Sequence, residues 1–217
     1  MRAALAALLL LGALPAAAAR HALVVGVGEG DAADEPLEHA ARDARRVSEA
    51  LLQVGGFEPQ NVTTLTGVSA PELTRALDTV LGRVGEGDVL FVFYSGHADA
   101  EALHLSGTHL PLAQLREKVA ASAARAKVLV VDACRSGAVT RVKGGRRAEG
   151  FEVSLNDDST SEGFAILTSS AAGEDSQESD TLQASFFTHY FASALLGAAD
   201  RNRDGEVTLS EAFAYTS

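Results

Sequence analysis

Cysteine and tryptophan are nearly absent from this sequence, which has one cysteine, Cys134, and no tryptophan among 217 residues. Because one cysteine cannot form a disulfide within the chain, other interactions must hold the fold together. Charged residues are also sparse, at 22%, against 47% apolar residues. This balance excludes a disordered or collagen-like chain and is typical of a protein with a hydrophobic core.

Positive charge is scarce as well. The sequence has 18 Lys and Arg residues against 29 Asp and Glu residues, which gives a formal net charge of −11. Nucleic-acid binding needs clustered positive charge, so we predict no nucleic-acid partner. The length suits one compact domain with short additions.

The only apolar run outside the predicted strands and helices lies at the start of the chain. Residues 1–19 combine a positive start at Arg2, an apolar run over 3–14 and a small-residue end, which is the pattern of a signal peptide. The run is too short to span a bilayer, which takes about 20 residues. We predict cleavage after Ala19, export to the periplasm or the extracellular space, and no membrane association afterwards. An uncleaved N-terminal anchor is the alternative.

Apolar strands alternate with amphipathic helices over the rest of the chain. The pattern predicts strands over 21–28, 61–66, 88–94, 127–133 and 163–168, helices over 35–53, 70–83, 112–124 and 185–197, and a hairpin over 101–110. Strands that are apolar on both faces indicate a parallel sheet covered by helices on both sides. We therefore predict a doubly wound α/β domain over 20–199.

Two of the predicted strands lead into reactive side chains. One leads into His97 through the sequence YSGH, and the other into Cys134 through the sequence VDAC. Functional sites of open α/β sheets lie at the carboxyl ends of the strands, so neighbouring strands would bring the two side chains together. An imidazole takes the proton of a thiol and later delivers it to a leaving amine. The alternative is a core histidine and a core cysteine that never meet.

These two motifs carry a resemblance to a known family. YSGH over 94–97 and DACRSG over 132–137 resemble the His and Cys motifs of the caspase-like cysteine peptidases, most of all the metacaspase and bacterial caspase-like branch. The resemblance implies a three-layer sandwich around a mainly parallel sheet. It also implies that Cys134 attacks a peptide carbonyl to form an acyl-enzyme, while His97 acts as general acid and base on a protein or peptide substrate.

The resemblance assigns the oxyanion hole to the backbone N–H groups of Cys134 and Ala98. The family usually has glycine after the histidine, and the Cβ of Ala98 restricts the backbone and narrows the site. A catalytically silent caspase-like binding module is therefore the alternative to an active peptidase, and a non-peptidase thiol hydrolase is a third possibility. The sequence leaves the oligomeric state open.

The charges around the substrate differ from those of animal caspases. Those enzymes recognise aspartate through a Gln two residues before the Cys and through a later Arg, whereas this sequence has Asp132 and Glu178 at the matching positions. Asp43 and Ser95 match two residues of the metacaspase S1 pocket. Such an acidic pocket attracts a cation, so we predict cleavage after Arg or Lys. The alternative for Asp43 is a solvated helix face.

One glycine-rich, basic segment over 138–161 follows the predicted nucleophile strand. Arg146 and Arg147 within it are candidates for self-cleavage, because exposed loops of this composition are easily cut. The alternative is a basic loop without that role.

Residues 200–211 fit the twelve-residue EF-hand calcium loop, with a glycine at position 6. Ligand oxygens at positions 1, 3, 5, 7, 9 and 12 would come from Asp200, Asn202, Asp204, the carbonyl of Glu206, Thr208 and Glu211. We expect a structural Ca²⁺ here and no cofactor for catalysis; a loop that no longer binds metal is the alternative.

No metal-ligand spacing is found among His21, His39, His104, His109 and His189. Residues 212–217 begin a further helix, and we expect the domain to be truncated there.

Overall fold

The computed structural model describes residues 18–135, 163–169, 178–179 and 181–216, with Cys134, Arg135 and Glu178 placed by their backbone alone. Arg146, Arg147 and all but the end of the predicted signal peptide lie outside these residues. In chain order the elements are β1 (Arg20–Val27), α1 (Ala40–Gln53), a 3-10 turn (Pro59–Asn61), β2 (Val62–Thr66), α2 (Ala70–Leu81), β3 (Val89–Ala98), β4 (Ala102–Leu105), β5 (Thr108–Pro111), α3 (Leu112–Ala120), β6 (Ala126–Arg135), β7 (Phe164–Thr168), β8 (Glu178–Ser179), β9 (Ala184–Ser185), α4 (Phe186–Ser193), a π-helical turn (Ala194–Ala198) and α5 (Leu209–Thr216). Among these described helices, none is long and apolar enough to cross a membrane.

Five parallel strands form the central sheet in the order β2-β1-β3-β6-β7. β6 pairs along the whole of β3, whereas β1 pairs with β3 only as far as Gly96. The antiparallel hairpin β4–β5 continues the ladder from His97 onward and brings the sheet to seven strands. The predicted, mainly parallel sheet is confirmed, and the predicted hairpin is part of it.

Alternate residues of the central strands build two hydrophobic cores, one on each face of the sheet. In β1, Leu23 and Val25 pack with residues of α2 and α3, while Ala22 and Val24 pack with residues of α1, α4 and α5. Burial on both faces is the reason why these strands appear in the sequence as continuous apolar runs. The two cores and the sheet between them confirm the three-layer sandwich.

Two strands extend past their predicted ends. β3 continues from residue 94 to Ala98, and β6 continues from residue 133 to Arg135, because the two strands pair with each other over these residues. β4 adds a further partner for the end of β3. His97 and Cys134 therefore lie inside strands rather than after them, and their backbones are fixed by ladder hydrogen bonds.

Helix α1 begins at Ala40 and not at residue 35, as predicted. The N–H of Leu37 donates a 2.9 Å hydrogen bond to the carbonyl oxygen of Gly28, so this stretch is held as a loop against the end of β1. Helix α2 begins at the predicted place, after a capping box between Ser69 and Glu72. The loop before α1 matters for the site, because it lies beside the end of β3.

Candidate active site

Strands β3 and β6 bring His97 and Cys134 opposite each other. The two residues are partners in the register of the parallel ladder, and neighbouring strands are about 4.8 Å apart. Both lie at the carboxyl ends of the two central strands, where α/β sheets form their sites. The two strands are thus neighbours, as one site containing both residues requires.

The imidazole of His97 is buried, with 4% of the residue exposed. Within the part of the chain that the structure describes, neither ring nitrogen has a hydrogen-bond partner. The ring packs against Gly30, where an added Cβ would come within 2.9 Å of its Cδ2 atom. A side chain at position 30 would displace the ring, so glycine is required there. Both nitrogens remain open to proton exchange with a thiol or a substrate.

Asp34 interacts with both His97 and a second buried histidine, His104. Its Oδ2 atom lies 3.0 Å from Nδ1 of His104 and accepts the N–H of Asp31 at 2.7 Å. Burial raises the pKa of this carboxyl, but the hydrogen bonds and the positive charges of the protonated imidazoles outweigh burial and lower the pKa. Asp34 is therefore ionised at neutral pH.

His104 is the partner of His97 in the β3–β4 register. Its Nε2 atom lies 3.2 Å from a carboxylate oxygen of Asp99. Burial lowers the pKa of His104, but the hydrogen bonds to Asp34 and Asp99 raise it by more, so the net direction is upward. Sequence reasoning gave Asp34, Asp99 and His104 no role, because the hairpin and the loop before α1 meet beside His97 only in the folded chain.

The peptide group between His97 and Ala98 is held from one side by Tyr94. The hydroxyl of Tyr94 donates a 2.9 Å hydrogen bond to the carbonyl oxygen of His97. Ala98 itself is buried and pairs with Leu103 of β4. Because a peptide group is planar, fixing its carbonyl also fixes the direction of the Ala98 N–H.

The structure brings Asp43 of α1 and Asp132 of β6 together through Ser185. The N–H of Ser185 donates to Oδ2 of Asp43 at 3.2 Å, and its hydroxyl donates to Asp132. The hydroxyl of Ser95, the register partner of Asp132, lies 3.4 Å from Oδ2 of Asp43. Asp43 and Asp132 are 0% and 2% exposed. The solvated-face alternative for Asp43 is therefore wrong.

Ser185 was missed by sequence reasoning, although it had a signal. It is the N-cap of α4, and its hydroxyl oxygen accepts the N–H of Thr188 at 2.9 Å. The hydroxyl of Thr188 in turn donates to Asp132 at 2.6 Å. The backbone of Glu178 lies opposite Ser185 in the β8–β9 ladder. Ser185 thus contacts Asp43 and Asp132 directly, Ser95 joins them through Asp43, and Glu178 lies opposite Ser185 by its backbone.

A family model matches most of the chain. The model described as the caspase domain aligns with residues 19–214. The chain belongs to the caspase family. The predicted resemblance to caspase-like peptidases is thereby confirmed at the level of the family.

A solved caspase structure agrees with the fold of this caspase domain. The crystal structure of caspase-1 from Spodoptera frugiperda has a TM-score of 0.63 and 18% sequence identity, over 85% of this chain and 71% of that chain. Protein GSU0716 from Geobacter sulfurreducens has a TM-score of 0.46 and 19% identity, over 54% of this chain and 50% of that chain. The curated proteins give no match. None of these findings singles out the metacaspase branch, which stays a prediction.

Residues 200–211 of the caspase domain form a compact loop that ends at α5. The carboxylate of Asp200 accepts three backbone N–H groups, among them that of Gly205 at 3.0 Å. Gly205 has φ of 83°, a left-handed conformation that glycine adopts without strain. Hydrogen bonds from Thr208 and from the N–H of Arg201 lower the pKa of Glu211. The loop is thus closed on itself by hydrogen bonds of Asp200 and Glu211, its first and twelfth residues; calcium binding stays a prediction.

Proposed function

We propose that the caspase domain is an exported cysteine endopeptidase that cleaves after arginine or lysine, with Cys134 as nucleophile and His97 as general acid and base. The observation that carries this proposal is the pairing of His97 with Cys134 at the carboxyl ends of neighbouring strands. The metacaspase branch is part of the proposal, because the acidic residues match its S1 pocket.

The proposed reaction is an acyl transfer in two halves. His97 takes the proton of the Cys134 thiol, and the sulfur attacks the carbonyl carbon of the substrate's peptide bond. The tetrahedral intermediate collapses when the amine leaves with the proton from His97, and an acyl-enzyme remains. Water then gives a proton to His97 and attacks the acyl carbon, which releases the acid product and the thiolate.

The surroundings of His97 support its role in both halves. Its ring carries a proton during each half, and the ionised carboxylate of Asp34 is an acidic group that interacts electrostatically with the ring. Gly30 packs against the ring and limits its movement. Asp34 acts here through electrostatics on His97, so we regard it as a positioning residue and not as a catalytic residue.

The oxyanion of the tetrahedral intermediate is assigned to the N–H groups of Ala98 and Cys134. Donors that are oriented before the reaction stabilise developing negative charge most effectively. The hydrogen bond from Tyr94 to the carbonyl of His97 supplies this orientation for the Ala98 N–H. The Cβ of Ala98 narrows the oxyanion site but removes neither N–H donor. We therefore expect it to reduce activity rather than to abolish it.

The preference for a basic P1 residue is supported by the buried acidic pair. Asp43 and Asp132 lie under Ser185 and beside Ser95, so their charges are poorly screened by solvent. A long cationic side chain gains from these charges, whereas an aspartate side chain is repelled. The backbone of Glu178, the third acidic residue of the proposed pocket, lies opposite Ser185 in the β8–β9 ladder.

The decisive experiment compares two fluorogenic peptides that are identical except for Arg or Asp at P1. We expect hydrolysis of the Arg peptide, little hydrolysis of the Asp peptide, and no hydrolysis by the Cys134→Ala variant. Preferred cleavage after Asp would contradict the specificity. A folded protein that cleaves neither peptide, and whose Cys134 resists alkylation, would instead support the silent binding module.

Export and signal-peptide removal belong to the same proposal. The N–H of Ala19 donates to Oδ1 of Asp88 at 2.8 Å, and its carbonyl oxygen accepts the N–H of Val89 at 2.9 Å. Cleavage after Ala19 removes both contacts, and the mass of the mature chain tests this predicted site directly.

Self-cleavage at Arg146 or Arg147 follows from the proposed specificity. We expect the wild-type chain to be cut there and the Cys134→Ala variant to stay intact. Cleavage of purified Cys134→Ala protein at the same bond would assign the cut to another peptidase.

A further inference from the structure

Three side chains with metal-binding atoms meet beside the active site, outside the residues assigned to catalysis. One ligand atom each from Asp31, His104 and His109 lies within 4.8 Å of the other two. Nε2 of His109 is 2.9 Å from both carboxylate oxygens of Asp31, and Nδ1 of His104 is 3.6 Å from Oδ2 of Asp31. The two imidazole rings lie 4.8 Å apart, centroid to centroid.

We propose that Asp31, His104 and His109 bind a divalent transition-metal ion of the Zn²⁺ class. Two imidazole nitrogens and a carboxylate suit zinc and its neighbours, whereas calcium and magnesium prefer oxygen ligands. Two histidines and one carboxylate are a protein ligand set that Zn²⁺ binds with water in the fourth position.

The other ring nitrogen of His104 has the partner that a metal-bound histidine needs. Nε2 of His104 lies 3.2 Å from Oδ2 of Asp99. A carboxylate in this position fixes the tautomer, keeps the proton on Nε2 and turns Nδ1 towards the metal. His104 is thereby oriented for ligation before any ion binds.

The fold holds the two ligand-bearing segments in a fixed relation. Ser106 and Gly107 form a two-residue turn with φ of 47° and 73°, which makes His104 and His109 register partners across the hairpin. The N–H of Ser106 donates to the carbonyl of Glu29 at 2.8 Å, and the N–H of Gly107 donates to that of Gly30 at 3.0 Å. The hairpin is therefore tied by its backbone to the loop that carries Asp31. The two histidines are five positions apart in sequence, with four residues between them, which is why no metal-ligand spacing was recognised.

The cluster is also open to solvent on one side. The side chains of His109 and Asp31 are 52% and 36% exposed, whereas that of His104 is 6% exposed. An ion can therefore enter at His109 and be held at depth by His104. The alternative is that these residues form only His–Asp ion pairs and bind no metal, and a metal titration distinguishes the two.

The test is a Zn²⁺ titration against a chromophoric chelator, with saturating Ca²⁺ present to occupy residues 200–211. The protein is the full chain carrying Cys134→Ala, so that the thiol is excluded as a ligand. We expect one ion per chain, and we expect His109→Ala in this background to weaken binding by about tenfold or more. Asp99→Asn should also weaken binding while leaving all ligands in place. His189→Ala, which changes a part-buried histidine of α4 outside the cluster, should leave binding unchanged.

Thermal unfolding with and without Zn²⁺ guards against misfolded variants. Zn²⁺ should raise the Tm of the Cys134→Ala protein, and it should not raise the Tm of the His109→Ala variant, whose Tm without metal should be unchanged. Equal Zn²⁺ affinity with and without His109 would overturn the proposal, and so would the absence of binding. Loss of the ion on His97→Ala alone would place it at the catalytic histidine instead.

Discussion

The hydroxyl of Tyr94 lies 2.9 Å from the carbonyl oxygen of His97, three residues later in the same strand. The same hydroxyl is 3.0 Å from the carbonyl oxygen of His104, so it links the ends of β3 and β4. Burial, and then the negative charge of Asp34, raise the pKa of this phenol far above its ordinary value. Tyr94 is therefore a neutral donor at physiological pH, and it positions the active-site strand.

Tyr94→Phe tests this positioning role. The variant leaves two buried carbonyl oxygens without their donor, which costs about 1–3 kcal/mol of unfolding free energy. If the His97–Ala98 peptide also loses its orientation, kcat on the Arg peptide should fall while KM changes little. Tyr190→Phe, at an exposed tyrosine on α4, is the matched control and should change neither quantity. An unchanged urea midpoint for Tyr94→Phe would show that the hydrogen bond is not stabilising.

Asp132→Asn tests the acidic pocket with little change of shape. The amide oxygen still accepts hydrogen bonds from Ser185 and Thr188, but the negative charge is removed. We expect kcat/KM for an Arg peptide to fall about ten- to a hundredfold, the scale of a hydrogen bond to a charged group. A citrulline peptide has nearly the same shape without the charge, and its slow hydrolysis should change little. Equal losses on the two peptides would mean that Asp132 acts on the structure and not on substrate charge.

The strands of the sheet could largely be predicted from the sequence, whereas the points at which β3 and β6 end could not. Continuous apolar runs marked β1, β3, β6 and β7, whereas the part-exposed β2 was predicted from its β-branched residues. β3 and β6 extend past their apolar runs because they pair with each other, and β4 adds a partner for the end of β3. Pairing of this kind is a tertiary effect that local periodicity does not contain.

Some residues of the candidate site could likewise be predicted from the sequence, and others could not. Asp43, Ser95 and Asp132 were predicted from motifs, and hydrogen bonds through Ser185 bring them together. Asp34 was not predicted, because residues 35–39 fit a helical pattern while the backbone bond from Leu37 to Gly28 holds them as a loop. Side chains that depend on such long-range contacts carry no local signal.

Asp88→Asn tests how the first strand is attached to the sheet at different pH. The N–H of Gly85 and that of Ala19 donate to this carboxylate at 2.8 Å each, and these bonds lower its pKa despite the opposing effect of burial. Because its pKa is lower in the folded state, the ionised carboxylate stabilises the fold at pH values above the unfolded pKa of 3.8. This stabilisation is lost as the pH falls through the folded pKa.

The expected result is a difference in pH dependence. Asp88→Asn should cost about 1 kcal/mol at pH 7 and progressively less as the pH falls below about 4, where the wild-type carboxylate becomes protonated. Urea unfolding at pH 7, 5 and 3 measures this. Glu86→Gln, at an exposed residue two positions away, is the control. A cost for Asp88→Asn that stays constant with pH would rule out the carboxylate charge as the cause.

Glu211→Gln tests whether the loop over residues 200–211 binds calcium. Glu211 is the twelfth residue of the loop and the expected bidentate ligand, and glutamine retains its hydrogen bonds to Thr208 at the start of α5. Millimolar Ca²⁺ should raise the Tm of the wild-type chain and should fail to raise that of Glu211→Gln. Glu206→Gln is the matched control, because only the carbonyl of Glu206 is a proposed ligand, and its response to Ca²⁺ should be that of the wild type. Calcium that raises the Tm of all three chains equally would bind elsewhere, and calcium that raises none would show that the loop no longer binds metal.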